Sequence, residues 1–427
     1  MSPTPRAAAA LGAIALLVLA LGPLVAALLA AALALALLAD ALAARRAPGA
    51  RRRVAAIVAR GVPASLAVEV PRARVADGAG AAGGRRVRVR QATPAEIELA
   101  PQEAGGGLQA QLIARRRGRW TLPPAAVRVA GPLGLATWDH RAGSDQELLV
   151  YPDLPAARRL ALAVRAGRFR EAGRRSRGPL GLGTEFESIR DYLPDDDVRQ
   201  VNWPATVRLG RPMSNQYRIE QDRDVICVLD CGRLMAAPLS AGATRLDVAV
   251  DAATAVGLVA DELGDRCGTV AFDATVHRCL APRRRGGEAL VRAVYDLQPA
   301  PVDSDYELAF RSIASSKRAL VIVFTDLIEE VAARSLVMAV PVLARRHEVV
   351  VAGVADPDLD AALRPSGARV HELDVYRAAA ALDVLAARER AAARVRGAGA
   401  QVLETAPAEL SQACVSAYLR AKSRARL

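Results

Sequence analysis

The strongest constraint in this sequence is an N-terminal run that lacks any charged or polar side chain. It extends for 33 residues, from Ala7 to Ala39, and contains only Ala, Leu, Ile, Val, Gly and one Pro. A straight helix of that length measures about 50 Å at 1.5 Å per residue, whereas the hydrocarbon core of a bilayer is roughly 30 Å thick. The run is therefore predicted to lie in a membrane, and it is too long for one comfortable span.

A break near the middle of this run favours two spans. Gly22 and Pro23 form a natural turn, which predicts a tight hairpin with helices near Arg6–Leu21 and Leu24–Ala44. Arginines flank both outer ends and none lies in the turn, so the positive-inside rule predicts that both ends are cytoplasmic. A single long, kinked span stays open as an alternative. A secretory signal is disfavoured, because the apolar region is far too long for one and arginines follow it closely.

Composition limits the partners and the redox compartment. The chain has 427 residues, of which 52% are hydrophobic, and a net charge of +13, so it can form two or three domains with sizeable cores. No zinc-finger spacing or aromatic-interleaved basic strand indicates nucleic acid binding. The cysteines are odd in number and scattered, which is typical of buried thiols in a reducing compartment: Cys227, Cys231, Cys267, Cys279 and Cys414.

Residues 45–155 are predicted to form a β-rich, sandwich-like domain. Short alternating stretches such as Val127-Arg128-Val129 are separated by turns that contain Gly and Pro. The next segment, 156–223, begins with a basic linker that holds eight arginines between Arg158 and Arg177. These arginines fit contact with anionic headgroups or an acidic partner, and they equally fit a solvated face.

From residue 224 to 427 the pattern changes to strands that alternate with helices. The strands read as continuous β-branched runs, and such runs predict a mostly parallel sheet with helices on both faces: Val225–Leu229, Gly268–Phe272, Ala319–Phe324, Val349–Val354 and Val402–Leu403. Ligands of such sheets bind beyond the carboxyl ends of the strands. Asp230 and Asp326 end two of these strands, so both side chains are predicted to lie at that edge. No phosphate-binding glycine loop follows a strand.

A block between Gly183 and Asp230 carries a resemblance to a known family. It contains Arg190-Asp191-Tyr192, Pro194-Asp195-Asp196, Arg199, Asn202-Trp203 and Arg208. This series resembles the signature of the domain of unknown function 58 family. Arg117-Gly118-Arg119-Trp120 and Gly131-Pro132-Leu133-Gly134-Leu135 fit the same family. Two positions depart from its pattern: Asp195 stands where Gly is usual, and Pro204 stands where a basic residue is common.

The resemblance implies a fold. The α/β domain is expected to be von Willebrand factor type A-like (Rossmann-like), with the β-sandwich-like domain and a transmembrane hairpin at residues 1–44 before it. Domains of that type bind Mg²⁺ through an Asp-x-Ser-x-Ser motif, a distant Thr and a later Asp. The matching positions here are Asp230, Gly232, Leu234, Ser304 and Asp326. Since two hydroxyl ligands are missing, a degenerate site is expected, with no cofactor required and Mg²⁺ at most weakly bound.

The resemblance also implies a function. It points to a non-enzymatic, protein-binding adaptor in the plasma membrane, with most of the chain in the cytoplasm, that works with a MoxR-type AAA+ ATPase. Neither nucleic acid nor a small-molecule substrate is expected. A structural membrane scaffold without switching is the main alternative, and a metal-assisted hydrolase using Asp230 and Asp326 is a weaker one. The block from Arg190 to Arg208 either docks a partner or caps the sheet; Tyr192 and Trp203 favour capping, as packing anchors.

Overall fold

The computed structural model describes residues 2–71, 73–74, 85–169, 185–193, 196, 198–218, 222–239, 242–313, 317–327, 333–364 and 371–423 of the chain. It divides the chain into two compact units, Met1–Val150 and Tyr151–Leu427. Each unit is described by itself below. Of the residues predicted to matter, Asp195 and the side chain of Arg199 lie outside this description.

Two apolar helices begin the first unit. Helix α1 covers Pro5–Leu21 and helix α2 covers Pro23–Ala44, and the two helices contact each other. They are separated at Gly22, whose φ of 78° suits glycine because other residues rarely adopt it. The break therefore occurs at the turn that the sequence predicts. Within the described part of the chain, the stretch Leu24–Ala44 alone is long and apolar enough to cross a membrane, and Pro5–Leu16 is a shorter apolar helix.

The rest of the first unit is β structure in three sheets. One sheet has the order β1-β12-β11-β6-β5 with β8 also paired to β6, a second has the order β2-β4-β9-β7, and a third has the order β10-β13-β3. The strands are β1 Ser2–Pro3, β2 Arg51–Val54, β3 Ile57–Ala59, β4 Ala64–Glu69, β5 Ala73–Arg74, β6 Arg85–Arg90, β7 Ile97–Ala100, β8 Glu103–Gly105, β9 Leu108–Ala114, β10 Gly118–Leu122, β11 Ala125–Ala130, β12 Ala136–Ala142 and β13 Gln146–Tyr151.

Alternation along the strands explains how these sheets share a core. In β9 the residues from Leu108 to Ala114 are alternately buried and less buried, and β11 follows the same rule. Successive side chains of a strand point to opposite faces, so each strand contributes every second residue. Leu66, Val89 and Leu148 come from different sheets and belong to one buried cluster. The β-rich character predicted from sequence is confirmed.

The second unit is built around a six-stranded sheet. The helices and strands of this unit, in chain order, are α3 Leu154–Arg165, β14 Glu185–Asp191, α4 Trp203–Leu209, β15 Met213–Arg218, β16 Asp224–Asp230, α5 Arg245–Glu262, β17 Arg266–Phe272, β18 Val276–Arg284, α6 Gly286–Val294, α7 Tyr306–Arg311, β19 Ala319–Phe324, α8 Ala333–Ala344, β20 Glu348–Val354, α9 Pro357–Ala362, α10 Glu372–Gly397, β21 Gln401–Thr405 and α11 Leu410–Ser423. The mixed α/β architecture predicted from sequence is confirmed.

The strand order of this sheet decides where a site can lie. The order is β18-β17-β16-β19-β20-β21, with β18 antiparallel to β17 and the other neighbours parallel. The chain moves outward in one direction from β16 to β18 and in the other from β19 to β21. The order therefore reverses between β16 and β19, and a crevice opens beyond the carboxyl ends of strands at such a switch point.

Both faces of this sheet are covered, as continuous apolar strands require. Every residue of β16 is buried. Val225, Cys227 and Leu229 pack in the cluster that includes α5 and α11, whereas Ile226 and Val228 pack in the cluster that includes α7 and α8. The predicted parallel strands are all present. Strand β18 was not predicted, because it is an exposed edge strand of mixed polarity and lacks an apolar run.

Candidate functional site

Asp230 lies at the end of β16, beside the switch point, and its carboxylate is fully occupied. Oδ1 accepts hydrogen bonds from the Ser304 hydroxyl and from the backbone N–H of Gly232 at 2.8 Å. Oδ2 accepts from the hydroxyls of Tyr306 and Thr325, both at 2.7 Å. A carboxylate offers about four lone-pair positions. Asp230 is 1% exposed, and these four donors satisfy it inside the protein.

Gly232 and Ser304 fit together in a way that the sequence did not predict. A Cβ atom at Gly232 would lie 2.1 Å from the Ser304 Oγ and 2.9 Å from the Val302 carbonyl oxygen. Because no side chain fits there, Ser304 occupies the space that a serine at 232 would need. The structure therefore brings Asp230 and Ser304 together, as predicted, but as partners in a hydrogen bond.

Asp326 belongs to a different cluster. It follows β19 and is 4% exposed. Arg245 of α5 lies 2.8 Å from its Oδ2, and Arg388 of α10 lies 2.6 Å from its Oδ1. Among the described residues, no hydrogen bond or ion pair joins Asp326 to Asp230 or Ser304. The residue next to it, Thr325, is the one that contacts Asp230.

Burial controls the ionisation of this edge. Burial raises the pKa of Asp326 to about 6, although the guanidinium groups of Arg245 and Arg388 lower it. Burial and the neighbouring Asp230 also raise the pKa of Tyr306 well above its ordinary value. Tyr306 therefore stays protonated at neutral pH and acts as a hydrogen-bond donor.

These donors do not fit a bound Mg²⁺. The ion requires near-octahedral oxygen ligands and usually takes one or two carboxylates with several waters. Here Asp230 has no free lone pair, and two guanidinium groups already contact Asp326. A cation entering this place would displace four donors or meet two positive charges. Gly232 and Leu234 supply no side-chain oxygen.

An open cavity of about 500 Å³ lies next to Asp230. Its walls include Ser304, Tyr306 and residues of mixed character: Arg233, Leu234, Val302, Asp303, Arg334, Ser335 and Met338. Arg233 and Asp303 form an ion pair on its rim. Apolar and charged groups both line the opening, and Met338 is 74% exposed.

The signature block forms a small, polar-framed unit between β14 and β15. Arg190 holds Asp196 with two hydrogen bonds of 2.6 and 2.8 Å, and Asp196 also accepts from the backbone N–H of Leu193. The hydroxyl of Tyr192 donates to the Asp196 carbonyl oxygen. The hydrogen bond from Arg190 keeps the pKa of Asp196 below its ordinary value. The predicted residues 190, 192 and 196 therefore come together as one frame.

Asn202 starts the helix that follows. Its side chain accepts from the backbone N–H of Ala205 at 2.9 Å and donates to Asn215 at 2.7 Å. Pro204 falls in the first turn of α4, where its missing N–H costs nothing. Asp191 forms an exposed ion pair with Arg211. The departure from the family pattern at Pro204 thus fits a helix start.

The apolar residues of this block face outward. Trp203 is 64% exposed, so the prediction that it is a packing anchor is wrong; the polar frame fixes the block without it. Val207 lies one helical turn further along α4 and is 82% exposed. Leu193, Val198 and Leu209 are also exposed, as is Arg208. We call Leu193, Val198, Trp203, Val207 and Leu209 the block surface.

The first unit contains a polar anchor that sequence reasoning missed. Asp40 of α2 is 1% exposed and accepts hydrogen bonds from the backbone N–H groups of Leu133, Leu135 and Ala136 at 2.7 to 2.8 Å. Gly131 is required beside it, because a Cβ there would lie 2.3 Å from the carboxylate. A single acid at the end of an apolar helix is a signal that could have identified it.

Sequence comparison identifies the family. Residues 188–401, half of the chain, match the family described as "Protein of unknown function DUF58". The chain belongs to this family. The match includes the framed block and most of the six-stranded sheet, so the resemblance noted in the sequence is confirmed.

Curated relatives of this DUF58 protein come from mycobacteria. Uncharacterized protein Rv1480 of Mycobacterium tuberculosis (strain ATCC 25618 / H37Rv) is 28% identical over 188 residues, which cover 42% of this chain and 56% of the relative. Uncharacterized protein Mb1516 of Mycobacterium bovis (strain ATCC BAA-935 / AF2122/97) matches with the same identity and coverage. The chain thus spans about half the length of these relatives.

Two solved structures are similar over about half of this DUF58 chain. One is proximal thread matrix protein 1 from the mussel byssus, 13% identical, with 47% of this chain and 46% of that chain covered and a TM-score of 0.27. The other is an uncharacterized membrane spanning protein from Vibrio fischeri, 18% identical, with 48% and 98% covered and a TM-score of 0.16. Neither score is high enough to carry an argument about the fold.

Proposed function

We propose that this DUF58 protein is a membrane-anchored, non-enzymatic adaptor that binds protein partners and works with a MoxR-type AAA+ ATPase. The observation that carries the proposal is the exposure of Trp203 on a segment held in shape by polar contacts. An aromatic side chain this exposed contributes little to the free energy of folding. It can contribute much to the free energy of binding a partner, since Trp and Arg dominate binding energy at protein interfaces.

The frame of the block supports a docking role over a capping role. Arg190, Asp196 and Asn202 use their polar groups within the block. Because these contacts fix the backbone of α4, the Trp203 and Val207 side chains are presented with little further ordering cost. Arg208 follows Val207 in α4 and is exposed, so the partner surface is expected to combine an apolar pocket with acidic residues.

The α/β domain is proposed to be von Willebrand factor type A-like, with a degenerate metal-ion-dependent adhesion site. Support comes from the strand order, with one antiparallel edge strand, and from Asp230 beside the switch point. The two serine positions of the intact motif hold Gly232 and Leu234, and the donors around Asp230 leave it no free lone pair. The mixed lining of the cavity there suits a second contact with a polypeptide.

The non-enzymatic part of the proposal is supported by the hydrogen bonds and ion pairs of the acidic side chains. A general base needs a free acceptor within reach of a proton, and the carboxylates of Asp230 and Asp326 are both engaged. His277 contacts the Asp273 carboxylate at 2.6 Å. A hydrolase would need one of these groups to be released.

The membrane part of the proposal is a two-helix hairpin in the plasma membrane, with the bulk of the chain in the cytoplasm. Both ends of the hairpin contact one loop of the β unit: Thr4 bonds to Gly134 and Leu135, and Asp40 bonds to the backbone of the same loop. Ends that meet at one loop favour two spans over one. The arginines beyond α2 favour a cytoplasmic location.

Capture of partners from detergent-solubilised membranes tests the adaptor function. Tagged wild type is compared with Trp203→Ala and with Tyr376→Ala, whose aromatic ring is 66% exposed outside the block surface. Wild type and Tyr376→Ala are expected to recover an ATPase of the MoxR type. Trp203→Ala is expected to weaken binding about 30-fold, as for a hot-spot residue worth about 2 kcal/mol.

Two results would count against the proposal. Equal recovery by wild type and Trp203→Ala would move the interface away from the block. Recovery of no ATPase by any variant would favour the structural scaffold, the main alternative.

A further inference from the structure

The carboxyl edge of the sheet contains a chain of five charged residues, of which the central three, Arg245, Asp326 and Arg388, are buried. Asp356 contacts Arg245, Arg245 contacts Asp326, Asp326 contacts Arg388, and Arg388 contacts Glu404, at 2.6 to 2.8 Å in each case. Both arginines are 3% exposed. Buried charges are tolerated only when they are paired, and here each guanidinium bridges two carboxylates.

We propose that Arg245 and Arg388 do the work of a divalent cation at this edge, so that the protein holds its site without metal. Two guanidinium groups carry the same +2 charge as Mg²⁺ and pair with Asp326, the carboxylate that an ion would otherwise bind. Each planar fork contacts two carboxylates in a fixed direction. The function of the protein as an adaptor is not needed for this inference.

The elements that the arginines connect explain what the cluster achieves. Arg245 lies in the first turn of α5 and also donates to the carbonyl oxygen of Val354, the last residue of β20. Asp356 caps α9, Arg388 lies in α10, and Glu404 lies in β21. The cluster therefore fixes two strand ends and three helices around Asp326. A bound ion would contact this edge at one position, whereas the two arginines link five elements: α5, α9, α10, β20 and β21.

A second feature supports the same inference. Asp230, the other acid of the edge, is satisfied by Ser304, Gly232, Tyr306 and Thr325. Neutral donors thus replace a cation at Asp230, and charged donors replace it at Asp326. Divalent cations and chelators are accordingly expected to leave the geometry of this edge unchanged.

The test measures thermal unfolding of the full chain in detergent at pH 7.5, with Mg²⁺, with Mn²⁺ and with EDTA. The wild-type Tm is expected to be the same in all three. Arg388→Ala leaves Asp326 and Glu404 without their shared partner, so its Tm is expected to fall by about 10 °C. Arg377→Ala removes an exposed arginine of the same helix, and its Tm is expected to change by no more than about 2 °C.

The decisive measurement is whether a divalent cation restores the thermal stability of Arg388→Ala. Arg388→Ala removes the side chain between Asp326 and Glu404. Mn²⁺ or Mg²⁺ is expected to enter the vacated space and to restore at least half of the lost Tm. Direct Mn²⁺ binding, measured by electron paramagnetic resonance, is expected for Arg388→Ala and not for wild type. Arg388→Lys, which keeps one positive charge, is expected to lie between wild type and Arg388→Ala and serves if the alanine variant does not fold.

Three results would overturn the inference. A wild-type Tm that rises with Mg²⁺ or falls with EDTA would mean that a metal stabilises the native edge. An Arg388→Ala variant as stable as Arg377→Ala would mean that the ion pairs of Arg388 do not stabilise the folded protein. A destabilised Arg388→Ala that no divalent cation restores would reduce the cluster to ordinary ion pairs.

Discussion

Replacement of Asp40 tests how the apolar helices are joined to the β unit. The Asp40 carboxylate accepts three backbone hydrogen bonds, from Leu133 and Leu135 at 2.7 Å and from Ala136 at 2.8 Å. A hydrogen bond to a charged group contributes about 1.5–3 kcal/mol. Because three bonds to one carboxylate are not additive, Asp40→Ala is expected to cost about 4 kcal/mol of unfolding free energy.

The asparagine variant separates charge from shape. Asp40→Asn keeps one acceptor oxygen for the Leu135 and Ala136 N–H groups but sets an amide N–H₂ group against the N–H of Leu133, so it is expected to destabilise the unit less than Asp40→Ala does. Asp139→Ala is the control on the neighbouring strand, where an exposed pair with Arg128 at 2.7 Å is worth about 1 kcal/mol or less.

Trp138 provides the signal for this experiment. It lies in β12, just after the loop, and the Arg45 guanidinium at the end of α2 lies 5.9 Å from its ring centroid. Urea unfolding in detergent is followed by Trp138 fluorescence in a Trp120→Phe, Trp203→Phe background. Equal unfolding midpoints for the background protein, Asp40→Ala and Asp139→Ala would refute the reasoning, because three backbone N–H groups would then have lost their acceptor without cost.

Three further outcomes are expected. Asn202→Ala removes the cap of α4 and should lower the free energy of unfolding by about 1 kcal/mol, whereas Asn202→Ser should lower it less. Equal melting curves for the two variants would contradict the capping role. Tyr306→Phe removes one donor from buried Asp230 and should lower stability by about 1–3 kcal/mol, measured by denaturant unfolding; an unchanged midpoint would mean that water replaces the hydroxyl. The pKa of Asp326 is raised to about 6 by burial, so the folded state binds more protons than the unfolded state between pH 4 and 6. Its contribution to stability is present below about pH 4 and is lost as the pH rises through about 6. Unfolding of wild type and Asp326→Asn across this range should show that difference, and parallel curves would contradict it.

The parallel strands could be predicted because their burial leaves a simple mark in the sequence. Strands β16, β19 and β20 are buried on both faces and read as unbroken apolar runs. The edge strand β18 has no such mark, since solvent on its exposed side permits arginines and a histidine. The three small sheets of the first unit were predicted only as β structure, because alternation along a strand says which residues face inward but not which strand lies beside which.

The block surface was misjudged because residue type was taken as a sign of burial. Trp203 and Tyr192 both look like anchors in the sequence. The structure uses the Tyr192 hydroxyl to hold the Asp196 carbonyl oxygen, while Trp203 faces outward. The partners that free Trp203 from a packing role are polar and local, namely Arg190 with Asp196 and Asn202 with Asn215. A signature rich in charge around one aromatic residue is therefore better interpreted as a frame than as a core.

The position of Asp326 explains why the metal site was difficult to judge from spacing alone. Spacing correctly brings Asp230 and Ser304 into contact, but it says nothing about cations that arrive from distant helices. Arg388 lies in a helix rich in Ala and Arg, and nothing local distinguishes it from Arg390, which is exposed. Only the packing of α10 against β21 turns Arg388 inward to Asp326. In the metal-free edge proposed above, Gly232 and Leu234 supply no hydroxyl ligand, and Arg245 and Arg388 pair with Asp326.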